Sequence, residues 1–349
     1  MKDKYKLKLN PDLATLAVLA FVYTILAAML YGGSLSRQIS NMLISVSVYA
    51  VLAVSLNLVV GLLGELSLGH AGFMSVGLFS GCLVSIALVD KLPIFVRVPL
   101  SMVAGGLVAA VFGFIVGLPA LRLKGDYLAI VTLACCEIIK SIITNLDITG
   151  GARGLDTNAI FSNSKQLLPY AAILVFITVI VMMNLKKSRH GRAIMAIRDN
   201  RIAAESVGIN VTYFKLAVFI IAAFFAGAAG AIYGHNFANV KATGFDYNMS
   251  IEILVMVVLG GMGSVGGSVI AAVVLRVLPE AFREFGDYRM LVYAVVLILV
   301  MLISHNERIQ MFVDKINPVK RIKEKLKQRE KSEEPAAVSE EAVSGKEEE

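Results

Sequence analysis

The chain has 349 residues, 57% of them hydrophobic and only 17% charged, an apolar load that a soluble domain of this size cannot bury. A mean hydropathy of +0.74 places it in a membrane, and the lack of Trp leaves Tyr and Phe to form any aromatic belt at the interfaces. The net charge of +7 does not imply nucleic acid, because the cations gather at the chain ends and between apolar runs, where anionic lipid head groups would meet them.

Lys2, Lys4, Lys6 and Lys8 precede an apolar run at 13–31. That run is too long for the apolar region of a signal peptide and lacks a small-residue cleavage site, so it is read as a retained first span with residues 1–10 inside. About 20 apolar residues cross a bilayer. Further spans are predicted at 41–61, 69–89, 98–118, 127–145 and 167–185, then at 213–234, 250–263, 265–279 and 288–304. The pair 250–263 and 265–279 is short, either two half-length helices or one broken helix. Ten crossings put 22 Lys and Arg inside against 8 outside, whereas a single crossing over 250–279 would put the basic tail outside. The expected architecture is all-α and polytopic, about ten transmembrane helices within 11–305 and both termini cytoplasmic. Residues 306–331 form a basic segment, and 332–349, with seven Glu and no aromatic residue, read as a disordered acidic tail.

Between the runs at 167–185 and 213–233 lies a cation-rich segment, SRHGRAIMAIRDNRIAAESVGINV (188–211). Lys186, Lys187, Arg189, Arg192, Arg198 and Arg201 mark it as cytoplasmic. Residues 192–199 and 201–207 are good enough helix formers for two short helices. Asp199 or Asn200 is placed to cap the second and Gly208 to end it. Two short helices held between spans suit docking to a partner. The plainer reading is a tether that only satisfies topology.

Other motifs carry less. Gly261-Met262-Gly263-Ser264-Val265-Gly266 satisfies GxGxxG, yet an apolar run follows it instead of a soluble βαβ unit with a later acidic residue. A tight turn between closely approaching helices is the better reading. The pairs Gly77/Gly81, Gly113/Gly117, Gly230/Gly234 and Gly263/Gly267 favour a tightly packed bundle. The stretch GLLGELSLGHAG (61–72) sets Glu65 and His70 between spans, either as irregular backbone lining a cavity, with Gly72, or as a capped turn in the head groups. Glu137 and Lys140 are one helical turn apart and can neutralise each other, and Arg276 and Glu280 form a similar pair. Cys82, Cys135 and Cys136 sit in apolar runs without metal-ligand spacing and read as small buried residues. There is no GxxxxGK[ST] loop and no catalytic constellation, so any ATP acts through another polypeptide, and no metal or cofactor is expected on this chain.

Together these stretches resemble the ABC-importer permeases, most closely the branched-chain amino-acid permease family in its LivM branch. The residues that carry the likeness are Gly191-Arg192-Ala193, Ala196-Ile197-Arg198, Ile202-Ala203-Ala204-Glu205 and Gly208-Ile209-Asn210. The stretches NLVVGLLGELSLGHAGFMSVG, LRLKGDYLAIVTLACCE, TGGARGL and VLGGMGSVGG add to it, so it runs from about 43 to 303. The resemblance implies a coupling loop at 186–212, with Gly191, Arg192, Arg198, Ala203, Ala204, Glu205 and Gly208 meeting an ATPase. It also implies a second related permease, two cytoplasmic ATPase subunits, an extracytoplasmic substrate-binding protein and a bacterial inner (plasma) membrane location. Glu65, His70, Gly72, Gly261 and Gly263 are the pathway or gating candidates. A urea or short-amide permease of the same superfamily shares these motifs. An ion-coupled secondary transporter would require charged or unwound ion sites near the bilayer centre, whereas the charges here cluster near span ends or in local pairs.

Overall fold

The computed structural model describes residues 11–32, 36–123 and 125–282, with scattered positions from 288 to 298. The chain divides into Met1–Ala281 and Phe282–Glu349, and every element named below lies in the first unit. The predicted span at 288–304, the basic segment and the acidic tail fall mostly or wholly outside the described residues, as do residues 1–10.

Backbone groups in lipid must be satisfied within their own segment, and the apolar runs accordingly fold as helices. In chain order they are α1 (Pro11–Tyr31), α2 (Arg37–Asn57), α3 (His70–Ala87), α4 (Ile94–Ala120), α5 (Asp126–Asn145) and α6 (Ser164–Lys187), then the short α7 (Arg189–Asp199) and α8 (Arg201–Ser206), then α9 (Val211–His235), α10 (Tyr247–Gly260) and α11 (Val265–Ala281). Among the described residues, seven helices are long and apolar enough to cross a membrane, and the apolar stretch Leu16–Tyr31 is shorter. Among the described residues, the departure from an all-α reading is a two-stranded antiparallel ladder, β1 (Leu155–Asp156) with β2 (Asn239–Val240), joining two connections at one end of the bundle.

The helix α2 is central. Every residue from Ile44 to Leu63 is buried, and α2 packs against α6, α9, α10 and α11. Beyond Asn57 it widens into a π-helical turn, Leu58–Leu63, which Gly64 closes in the left-handed conformation (φ 78°). Neither the π-turn nor the irregular stretch after it is visible in the sequence period.

Helices α3, α4 and α9 fuse at glycines. A Cβ on Gly77 would overlap the Gly227 backbone, and one on Gly105 would overlap the Gly77 carbonyl. A Cβ on Gly230 would meet the Met74 carbonyl, and one on Gly81 would lie 2.8 Å from the Ser101 carbonyl oxygen. Backbones this close gain van der Waals contact along their whole crossing, which is how helices associate where lipid removes the hydrophobic drive. The outward side of α4, with Val103, Leu107, Val111 and Phe114, stays exposed and apolar, as a lipid-facing surface must.

The short pair is two helices, α10 and α11, which pack on each other as a hairpin. Its turn uses Gly261 (φ 88°) and Gly263 (φ 81°), conformations that residues with a Cβ rarely adopt. The Gly260 and Gly267 backbones approach too closely for either to carry a side chain. The GxGxxG match is thus a helix–helix turn.

Candidate coupling site

The segment after α6 folds through three successive side-chain caps. Ser188 Oγ accepts from Gly191 N at 3.0 Å and starts α7; Asn200 Oδ1 accepts from Ala203 N at 3.1 Å and starts α8; Asn210 Oδ1 accepts from Tyr213 N at 3.0 Å and starts α9. Each cap satisfies an N–H that the helix itself leaves unpaired. Gly208, at φ 85°, ends α8 as expected. The first short helix, expected over 192–199, begins earlier, because its cap is Ser188. Gly191 lies inside it, and its lack of a Cβ lets α7 turn tightly against the Leu185 carbonyl.

One side of this segment faces the bundle. Gly191, Ile194, Ile197 and Ala204 are buried, and α7 packs on the π-helical turn, α6 and α9. Ala204 therefore belongs to the inward face, at 3% exposure, and not to the flat outer surface expected of it. Outward stand Ile202 at 80% and Val207 at 74%, with Ala203, Arg192 and the Arg201–Glu205 pair (2.9 Å) around them. Two large apolar side chains thus stand in solvent on a capped scaffold.

Polar joints tie the segment to the membrane part. Arg198 Nη1 donates to the Gly61 carbonyl of the π-turn at 3.1 Å, while its Nε and Nη2 hold Asp199. Lys186 Nζ donates to the Gly263 carbonyl in the hairpin turn at 2.7 Å. Asn57, buried on α2, clamps the same turn: Oδ1 accepts from Gly263 N at 2.7 Å, and Nδ2 donates to Ser264 O at 3.0 Å and Ser268 Oγ at 2.8 Å. Glu65 forms an ion pair with Lys215 in the first turns of α9, the lysine buried and the carboxylate partly so. Arg192, by contrast, bonds within its own segment, donating to Lys187 O at 3.2 Å.

The stretch 64–69 is irregular, with Ser67 and Gly69 buried, Glu65, Leu66 and Leu68 half-buried and Gly64 exposed. Leu68 N is satisfied by Thr132 Oγ1 at 3.0 Å and Ala71 N by Ser250 Oγ at 3.2 Å. His70 is buried against Ser55 Oγ (2.8 Å), with its ring edge-on to Phe73. Gly72 lets α3 approach α5, since a Cβ there would sit 3.1 Å from Cys136 Cα. Gly263 thus meets the coupling segment through Lys186, Gly261 shapes the same turn, and Glu65 meets α9 through Lys215, while His70 lies against α2 and Gly72 at the α3–α5 crossing.

The local Glu137–Lys140 pair forms as expected, and Glu137 also accepts from Tyr247 N at 3.1 Å. Arg276 reaches Glu252 on the other arm of the hairpin, at 3.6 Å, and Glu280 accepts from Gln38. Cys82 and Cys136 are buried and Cys135 is partly so. Sequence reasoning missed Asn57 and Lys215, although each was legible as a lone strongly polar residue in an apolar run.

Comparison with known proteins agrees with this geometry. Residues 38–303 match the family described as the branched-chain amino acid transport system permease component. The chain is 36% identical over 286 residues to the high-affinity branched-chain amino acid transport system permease protein LivM of Salmonella typhimurium, covering 73% of this chain and 66% of that protein. It is 35% identical to Escherichia coli LivM over the same shares, and 24% identical over 289 residues to Salmonella typhimurium LivH, covering 76% of this chain and 92% of LivH. The matched region thus spans just under two thirds of the LivM relatives' length. On the strength of the matched family and the LivM identity, the chain belongs to the family of branched-chain amino acid transport permease components.

Proposed function

We propose that this chain is the membrane-embedded permease subunit of an ABC importer for branched-chain or related amino acids. In this reading it crosses the bacterial inner membrane ten times with both termini in the cytoplasm. It pairs with a second, related permease, consistent with its likeness to both LivM and LivH, which share one organism. Two cytoplasmic ATPases supply ATP hydrolysis, and an extracytoplasmic binding protein delivers the substrate.

The observation that carries the reading is the double character of 186–212. Its outer face presents Ile202 and Val207 to a partner, while Arg198 and Lys186 fasten its inner side to the π-turn and the hairpin turn. A tether would need no such joints. Co-purification from native membranes followed by reconstitution tests it: the chain should bring down ATPase subunits, and liposomes holding the whole complex should accumulate leucine only with ATP inside. Leucine uptake by the chain alone under an ion gradient would replace this reading with a secondary transporter. ATP-driven uptake of urea or short amides, and not of leucine, would reassign the substrate.

A further inference from the structure

Between α2, the far end of α9 and the connection to α10 lies a cleft of about 510 Å³, lined by Tyr49, Tyr233, Phe237, Phe245 and Met249 with Lys241 and Thr243 among its polar residues. It is rich in aromatic rings, with Tyr233 centred 4.7 Å from Phe237 and 6.1 Å from Phe245. The volume falls within the usual range for small-molecule sites, about 300–1,000 Å³. Behind Tyr49 stands a pair of opposite charges. Arg276 Cζ lies 4.2 Å from the Tyr49 ring centroid, and Arg276 Nη1 lies 3.6 Å from Glu252 Oε1. Glu252 is one helical turn beyond Met249 of the cleft wall.

Both arms of the hairpin start from the turn that Asn57 clamps. At about 1.5 Å per residue, Glu252 stands roughly 12 Å from that turn and Arg276 roughly 16 Å, so the pair lies toward the other end of the hairpin, short of Tyr247 and Ala281. Ionisable groups within apolar helices are costly and face a protein interior or a water-filled cavity. Unlike Glu137 and Lys140 on one helix, these two bridge separate helices, and each side chain remains 28% exposed.

We propose that this cleft binds the transported amino acid as a zwitterion. Arg276 and Glu252 stand behind the lining and not in it, so the α-carboxylate reaches past the edge of Tyr49 to the Arg276 guanidinium and the α-ammonium to Glu252 and the face of Tyr233, while the branched side chain packs on Phe237, Phe245 and Met249. A planar guanidinium matches a carboxylate with two parallel hydrogen bonds, and aromatic faces attract an ammonium. The inference rests on the importer reading, and it adds a substrate site within the membrane part, at the end away from the coupling segment.

The test uses the complex in native membranes. Thr243, exposed on the cleft, is replaced in Thr243→Cys, and its alkylation by a maleimide is timed against the chain's own cysteines alone. Millimolar L-leucine should slow alkylation. Leucinamide, which lacks the carboxylate, and 4-methylpentanoate, which lacks the ammonium, should need at least about tenfold more for the same protection. In the double variant Glu252→Gln/Arg276→Gln no charge is left uncompensated, so insertion is preserved, yet leucine protection should weaken by a similar factor. Equal protection by the three compounds, no protection by leucine, or full protection in the double variant overturns the inference. ATP-driven leucine uptake, assayed with Thr243 intact, separates the two readings. Uptake without protection removes the cleft and leaves the importer, whereas protection without uptake leaves an amino-acid site on a protein of another class.

Discussion

Arg198 and Arg192 sit on the same short helix; of the two, Arg198 bonds the membrane part and Arg192 bonds its own segment. The Gly61 carbonyl that it serves is buried near the end of the π-turn, where helical carbonyls run out of helical partners. Arg198→Ala strands that oxygen at a cost of about 1–3 kcal/mol. Because Asn57, Lys186 and the Glu65–Lys215 pair remain, the loss should show in coupling before it shows in folding. A coupling loss of that size corresponds to roughly 5–150-fold, and with the other joints intact we expect about a tenfold fall in leucine transported per ATP hydrolysed. Arg198→Lys, which keeps one donor but not the fork, should recover part of it. Arg192→Ala should leave the ratio unchanged. The assay is paired measurement of uptake and phosphate release in proteoliposomes of the full complex. A normal ratio in Arg198→Ala, or an equal defect in Arg192→Ala, would refute the reasoning.

Four further outcomes are expected. Glu65→Gln and Lys215→Met each leave one buried or partly buried charge unpaired and should cost about 3–5 kcal/mol, seen as a lower thermal midpoint in detergent, while the double variant recovers most of it. Ile202→Asp should abolish co-purification of the ATPases at normal abundance, whereas Ala204→Asp, buried inside this chain, should fail to accumulate; the reverse pattern would show that the inner and outer faces are misassigned. Gly227→Ala places a methyl 2.7 Å from the Gly105 carbonyl oxygen, and overpacking of about 1–3 kcal/mol should lower abundance in the membrane. Cysteines at 153 and 246 should label with an impermeant thiol reagent from outside intact cells and one at 192 should not; labelling of 192 would invert the topology.

The sequence carried the helices because lipid admits few alternatives: nearly every predicted span appears as a helix within a few residues of its predicted ends. It carried the glycine crossings too, since Gly77, Gly81, Gly113, Gly230 and Gly234 all stand where another helix would obstruct a side chain. What it did not carry depends on tertiary partners. The π-turn at Leu58–Leu63 has the composition of ordinary apolar helix, and only the distant hairpin turn that Asn57 must reach gives the widening a purpose. Ala203 and Ala204 are alike in sequence, and which of them faces the bundle is decided by how α8 lies on α9. Glu65 and Lys215 are separated by 150 positions, so no local spacing could pair them.

These differences divide the molecule mechanically. The α3–α4–α9 group is locked by backbone contact, and separating it would open van der Waals surface along three crossings at once. The joints near the coupling segment are hydrogen bonds from side chains to irregular backbone, each worth about 1 kcal/mol net and replaceable by a neighbouring donor or by water. Under the proposed function, a displacement of α7 is therefore resisted least where Arg198 and Lys186 hold Gly61 and Gly263. The hairpin beyond that turn cannot absorb the movement internally, because its arms are pressed together at Gly260 and Gly267. It moves as one piece against the locked group, and it carries Glu252 and Arg276 with it. The charged floor proposed for the amino acid and the surface proposed for the ATPase are then two ends of the same lever, with Asn57 as the point about which it turns.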